Sequence, residues 1–235
     1  MIASAGRLPG MSAPAVPGRL RALMGLRVWD VALPQAARFI VDCALRGESL
    51  DVFFVNAHCV NVAARSATYA NLLARAPFVF ADGVGMALAG RLLGAPLEHN
   101  VNGTDLYPEI CAAAAAARVP IAFLGAKPGI AEACKVRTER RWPGLQVAWV
   151  DHGYLPADQE AARLDVLNDS GARILFVAKG VQAQEHWIAT HRAQLRVPVV
   201  LGVGACLDFY SGAVRRAPPL VRRPPPGRAT HREIR

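Results

Sequence analysis

The 235 residues are 53% hydrophobic with a net charge of +9, a size and composition that suit one α/β domain able to bury a sizeable core. No uninterrupted apolar run approaches the roughly 18 residues of a membrane-spanning helix, and the N-terminus lacks the basic stretch, apolar core and cleavage site of an export signal, so a cytoplasmic protein is expected. Residues 215–235 hold seven Arg and one Glu and residues 1–20 hold Arg7 and Arg19, leaving +1 for the 194 residues between, which argues against a nucleic-acid-binding face on the body.

In chain order, residues 1–24 are rich in Pro, Gly, Ala and Ser without a period and read as a disordered leader, with Met11 an alternative start. The stretch "LRVWDVALPQAARFIVDCALRG" predicts a short strand, then an amphipathic helix that opens at Pro34 and closes at Gly47. "LDVFFVNAHCV" is a buried strand ending in a polar loop, followed by one helix through about Arg75 and the strand "FVF". A helix from about Met86 to Leu93 precedes "NVNGTDLYPEICAAAAAA", a loop and an alanine-rich helix. "VPIAFLGAKPGIAEACKVRTERRWPG" is strand, Gly-rich turn and helix. "LQVAWVDHGYL", "ARILFVAKGV" and "VPVVLGVGACLDFYSG" are three more strand-and-loop units, the second leading into the helix "QEHWIATHRAQL".

Such alternation predicts a Rossmann-like α/β fold, a parallel sheet with helices on both faces. The α/β domain spans residues 25–214 and a basic Pro/Arg-rich tail follows at 215–235. Ligands of these sheets sit outside the carboxyl ends of the strands, and there the polar clusters fall: Asn56 to His58, Asp82-Gly83, Gly125 to Lys127, Asp151 to Tyr154, Gln184-Glu185 and Gly204 to Asp208. Cys43, Cys59, Cys111, Cys134 and Cys206 show no CxxC pairing and read as buried thiols. The six His have no paired ligand spacing, and neither a structural metal nor a cofactor is expected.

Asp82 supports several readings: a turn or helix cap, a dinucleotide fingerprint, which fails because Leu88 stands where the third glycine belongs, or a general base. A carboxylate at a strand's carboxyl edge, beside glycines that admit a substrate, can take a proton from an attacking hydroxyl, typically for about 10²–10⁴ in rate. "VNGTDLYP" offers backbone N–H groups, a hydroxyl and a carboxylate at a helix start, either a cap or a sugar or phosphate cradle. "LGAKPG" follows the same logic with Lys127 available for a diphosphate, without the spacing of a P-loop. Tyr154 could stack a base or pack the rim, and Gln184 and Glu185 could grip sugar hydroxyls or cap a helix.

The order of "VNAHCVNVA", "ADGVGMALAGRLLGAPL", "NVNGTDLYP", "FLGAKPGIAEA", "DHGYL", "QEHWI" and "GVGACLDFYSGAVRRAP" over roughly residues 26–223 resembles the WecG/TagA/CpsF glycosyltransferase family. "FVNAHCVN" and "NVNGTDL" look most like its GumM-type exopolysaccharide glucosyltransferase branch. The resemblance implies an inverting, metal-independent transferase. It would move a sugar from a UDP-sugar (UDP-glucose, UDP-ManNAc or UDP-ManNAcA) to a polyprenyl-diphosphate-linked sugar at the inner membrane surface, with self-association where the C-terminal appendage is short. It implies further that Asp82 is the catalytic base and that Asn56 lies near the donor sugar. Gly83, Gly103, Thr104, Asp105, Gly125, Lys127, Gly153, Tyr154, Gln184 and Glu185 would frame the donor.

Three departures stand out. Phe54 replaces a common Thr, and Asn100 a common Arg. In "GVQAQE" Gln182 and Ala183 replace the family's Pro and basic residue while Lys179 replaces an apolar one, so a cation for the diphosphate is expected to be missing. After "RRAPPLVRR" the chain reads "PPPGRATHREIR", which cannot form the family's basic amphipathic helix and reads as a shifted frame or truncation. Two competing readings follow: a weak or inactive UDP-sugar-binding member, and a nucleic-acid binder working through its tail.

Overall fold

In the computed structural model, which describes residues 16–154 and 157–215, the apolar runs assemble into one eight-stranded sheet. The elements in chain order are β1 (Arg19–Leu23), β2 (Leu26–Asp30), α1 (Leu33–Arg46), β3 (Leu50–Val55), α2 (Ala57–Ala63), α3 (Ala67–Arg75), β4 (Phe78–Ala81), α4 (Val84–Leu92), α5 (Gly103–Ala117), β5 (Ile121–Gly125), α6 (Ile130–Arg141), β6 (Val147–Asp151), α7 (Ala157–Asp169), β7 (Ile174–Ala178), α8 (Ala183–His191), β8 (Val199–Gly202) and α9 (Cys206–Ser211). The strand order is β1-β2-β4-β3-β8-β7-β5-β6. Every pairing is parallel except β1 with β2, as the alternating pattern predicts.

Parallel strands covered on both faces must be apolar along their whole length, and "IAFLG" (β5) and "ILFVA" (β7) are buried at every residue. Two core clusters result, one on each face. The first packs α1, α5, α6 and α9 on the sheet and the second packs α2, α3, α7 and α8. Crossovers that advance toward β6 travel on the α1/α5/α6 face and those that return travel on the α7/α8 face, the division a constant crossover hand requires.

Helix boundaries follow their local chemistry. Pro34 opens α1 and Gly47, at φ 72°, closes it, as expected. The single helix expected up to Arg75 is instead two, because Ser66 turns extended at φ −134° and its hydroxyl accepts from the Tyr69 N–H to start α3. Inside α5, Pro108 has no N–H to give the Thr104 carbonyl. The Tyr210 hydroxyl donates to that carbonyl at 2.9 Å instead, tying α9 to the first turn of α5.

The expected leader needs correction at its end. Residues 19–23 form β1, paired along its length with β2, across a turn in which Met24 and Gly25 both take positive φ, 53° and 78°. That is the twist a two-residue hairpin demands. The buried Asp30 carboxylate then accepts from the Glu98 and His99 N–H groups, each at 3.0 Å, so the hairpin anchors the loop leading to Asn100. Residues 1–15 of the expected leader and 216–235 of the expected tail lie outside the described residues. All five cysteines are buried, and burial, helped by Glu48, pushes the Cys43 thiol up to about 12, as expected of packing groups.

Candidate active site at the carboxyl edge

The carboxyl ends of β4 and β3 place the first half of the site. The ladder continues one residue past β4 through the Asp82 N–H, which donates to the Val55 carbonyl at 2.9 Å. Asp82 is thereby fixed at the rim with its side chain half-buried. Gly83 follows at φ 88°, a conformation that strains any residue with a Cβ, and its N–H donates to Asn100 Oδ1 at 2.8 Å. Asn100, which stands where relatives are expected to carry Arg, therefore holds the Asp82-Gly83 turn.

Asn56, the residue after β3, caps α2 by accepting from the Cys59 N–H at 3.1 Å. Asn102 and Asp105 cap α5 reciprocally: the Asp105 N–H donates to Asn102 Oδ1 at 2.8 Å and Asn102 Nδ2 donates to Asp105 Oδ2 at 2.6 Å. The first is the N-cap bond of a capping box and the second ties the two side chains together, and they aim the first turn of α5, with Gly103 and Thr104, at the same rim. A Cβ on Gly103 would touch the Phe54 ring at 3.4 Å, so Phe54 forms part of the floor.

The second half lies at the ends of β5, β6, β7 and β8. Gly125 takes φ 131°, and a Cβ there would stand 2.3 Å from the Ala178 carbonyl oxygen. This contact lets the Ala126 N–H donate to Ala178 O at 2.9 Å, and the Gly153 N–H in turn donates to Ala126 O at 3.0 Å. Three loops are stitched into one wall of a cavity of about 500 Å³, lined by Lys127, Gly153, Tyr154, Lys179, Gly204 and Asp208 among others. That volume suits a nucleotide-sized ligand.

Lys179 Nζ donates to the Gly153 carbonyl at 2.6 Å, and burial lowers its pKa from the usual lysine range against the pull of Glu160 and Asp151. Tyr154, at 68% exposure, stands at the mouth. Among the described residues no three His, Cys, Asp or Glu side chains gather as a metal site.

Gln184 and Glu185 do not line that cavity. Gln184 Oε1 accepts from the Gly204 N–H at 2.8 Å and its Nε2 donates to Glu185 Oε1 at 2.9 Å. Glu185 is fully buried, and burial raises its pKa although the Gln184 hydrogen bond opposes the shift. The pair lies beneath the β8 loop and sets the position of Gly204.

A sequence model of the glycosyl transferase WecG/TagA/CpsF family matches residues 21–224. The chain belongs to this glycosyltransferase family. Two proteins of Staphylococcus aureus, from strains MRSA252 and NCTC 8325, are each 31% identical to it over 177 residues, 74% of this chain and 68% of theirs. Both carry the name N-acetylglucosaminyldiphosphoundecaprenol N-acetyl-beta-D-mannosaminyltransferase.

In this glycosyltransferase the two half-sites share one edge of the sheet. Asp82, Asn56, Gly83, Gly103, Thr104 and Asp105 stand at the β4/β3 side, and Gly125, Lys127, Gly153 and Tyr154 at the β5 to β8 side. Sequence reasoning did not place Lys179, Asp208 or Asn100 among the site residues. Lys179 and Lys127 both wall the cavity, so it does not lack cations despite Gln182 and Ala183. The signal for Lys179 was its position, one residue beyond the last of β7.

Proposed function

We propose that this glycosyltransferase uses a UDP-sugar as donor and a polyprenyl-diphosphate-linked sugar as acceptor, in assembly of a cell-surface polysaccharide, with inversion at the anomeric carbon and without a metal. The observation that carries the reading is the division of the rim into a two-lysine cavity and, across the same edge, a rigidly held aspartate. Neighbouring strands lie about 4.8 Å apart, so the β4 end stands roughly 14 Å from the β7 end. An extended nucleoside-diphosphate sugar spans such a distance.

In this reading the nucleotide occupies the cavity with Tyr154 at its mouth, and Lys127 and Lys179 take the diphosphate. Gly103 and Thr104 approach the sugar with the N-terminal turn of α5, whose orphan N–H groups favour anionic or hydroxyl partners, and Asn56 lies beside it. Asp82 accepts the proton of the acceptor hydroxyl as its oxygen bonds to the anomeric carbon, while the bond from that carbon to the diphosphate oxygen breaks and UDP departs. Gln184 and Glu185 hold the Gly204 loop in place. The names of the staphylococcal relatives support a lipid-diphosphate acceptor, and the chain would work at the inner membrane surface. Among the described residues no helix is long and apolar enough to cross a membrane.

Asp82→Asn tests the assignment. It keeps the backbone bond to Val55, so UDP affinity should stay within about twofold while turnover falls by at least ~10². Near-full turnover in that variant would sink the assignment.

A further inference from the structure

Two peptide planes flank the Asp82 Cα, and together they decide where its Cα–Cβ bond points. The first is pinned by the sheet, since the Asp82 N–H donates to the Val55 carbonyl at 2.9 Å. The second carries the Gly83 N–H and lies beyond the ladder. Gly83, at φ 88°, is the N-cap of α4 and has no side chain to hold the turn, so by itself it is a pivot. Its N–H donates instead to Asn100 Oδ1 at 2.8 Å. Only the amide oxygen can accept that bond, which therefore orients the Asn100 side chain as well.

Asn100 is held in turn from both sides. The Val101 N–H donates to the Ala81 carbonyl at 3.2 Å. On the other side the Asp30 carboxylate, with its side chain 2% exposed, accepts from the Glu98 and His99 N–H groups at 3.0 Å each and meets His99 Nδ1 at 3.1 Å, with Arg21 Nε at 3.9 Å. A carboxylate taken out of water is unfavourable unless donors meet its oxygens, and here two of the donors are backbone groups of one irregular loop. Asp30 ends β2, which pairs with β4 at Trp29 and Phe80. The Trp29 ring stacks on Phe78 at 4.9 Å and its Nε1–H donates to the Pro77 carbonyl at 3.3 Å. A closed circuit of contacts results, from β4 through Asp82-Gly83 to Asn100, to Asp30, and back through β2 to β4.

We propose that Asn100 and, behind it, Asp30 are positioning residues for the transfer reaction, which pin the second peptide plane and so fix the direction of the Asp82 carboxylate toward the acceptor hydroxyl. Both act through Asp82. Their part in transfer rests on the function proposed above, in which Asp82 is the base; the clamp on the Gly83 amide does not.

The test is substitution in the full chain, read by hydrogen exchange of the Gly83 amide, by UDP affinity, and by kcat and KM for transfer from UDP-ManNAc or UDP-glucose to a short-chain polyprenyl-diphosphate sugar. Asn100→Ala removes the acceptor and should speed Gly83 exchange by roughly tenfold. It should lower kcat by about 10- to 100-fold, the scale of a 1 Å displacement at a reacting group, with donor KM and UDP affinity within about twofold. Asn100→Asp keeps an acceptor oxygen. It should restore slow exchange and most of kcat above neutral pH, with the acid limb of the kcat profile moved to higher pH, because a second carboxylate beside Asp82 raises its pKa. Asp30→Asn, which loses one acceptor oxygen, should lower kcat by less than Asn100→Ala, and the two together should be no slower than Asn100→Ala alone. Should Asp30→Asn fail to fold, the Asn100 pair decides. Unchanged Gly83 exchange or full kcat in Asn100→Ala would overturn the inference, as would Asn100→Asp as slow as Asn100→Ala at every pH, or additive losses with Asp30→Asn. Near-full kcat in Asp82→Asn would remove the base and this role with it, whereas an inactive Asp82→Asn beside a fully active Asn100→Ala would count against the positioning role alone.

Discussion

Lys179 Nζ lies 2.6 Å from the Gly153 carbonyl and shares a cavity wall with Lys127, so in the proposed reading an incoming diphosphate would meet a cation already held in place. Removing one charge-assisted contact costs about 1.5–3 kcal/mol, and Lys179→Gln should weaken UDP binding by roughly 10- to 100-fold in a calorimetric titration; unchanged affinity would remove Lys179 from the donor site. Glu185 yields a pH signature. Its folded-state pKa is raised by burial, so its contribution to stability is fully present below the unfolded pKa, near 4.5, and is lost as pH rises toward the folded value. Glu185→Gln lacks that loss. Urea unfolding should show the variant gaining stability relative to the parent as pH rises above about 4.5, and a difference independent of pH would contradict the buried carboxyl's part in it.

At the scale of elements, the join between α5 and α9 is a repair. Pro108 frees the Thr104 carbonyl and Tyr210 satisfies it, while the Tyr107 ring packs on Tyr210 at 4.3 Å between centroids and its hydroxyl meets Thr138 Oγ1 at 2.6 Å. Tyr210→Phe should destabilise by about 1 kcal/mol. In a Pro108→Ala background, where residue 108 regains its N–H, the same change should cost measurably less; additivity in that double-mutant cycle would refute the coupling. Such a join is invisible in sequence because it links residues 106 positions apart.

The same distinction explains what was legible. The strands β3, β5, β7 and β8 and the helix α1 could be read because periodicity and caps are local signals. β1 could not, because its hairpin turn uses Met24-Gly25 instead of Asn-Gly and its strand follows a Pro/Gly-rich stretch. α7 also escaped, since its buried positions, such as Leu164 and Leu167, are few along a polar segment.

At the scale of the whole molecule, parallel strands place their exits on one edge, and the seven parallel strands thereby gather residues from 56 to 208 along one rim. This is why the residues that share the rim were largely readable: any polar cluster just after an apolar run had to arrive there. Depth along that edge was not readable. Gln184 and Glu185 resemble donor ligands by position, yet α8 turns both inward beneath Gly204, and Lys179, read as a departure from the family pattern, stands on the wall instead.

The most direct measurement is transfer itself. The full chain would be incubated with UDP-glucose, UDP-ManNAc, UDP-ManNAcA or UDP-GlcNAc and a short-chain polyprenyl-diphosphate sugar, with and without EDTA, and the lipid product's mass and anomeric configuration determined. The account predicts that one donor yields an acceptor one sugar heavier, of inverted configuration, unaffected by EDTA and absent with Asp82→Asn. Donor binding with no transfer to any acceptor, or a product of retained configuration, would contradict it.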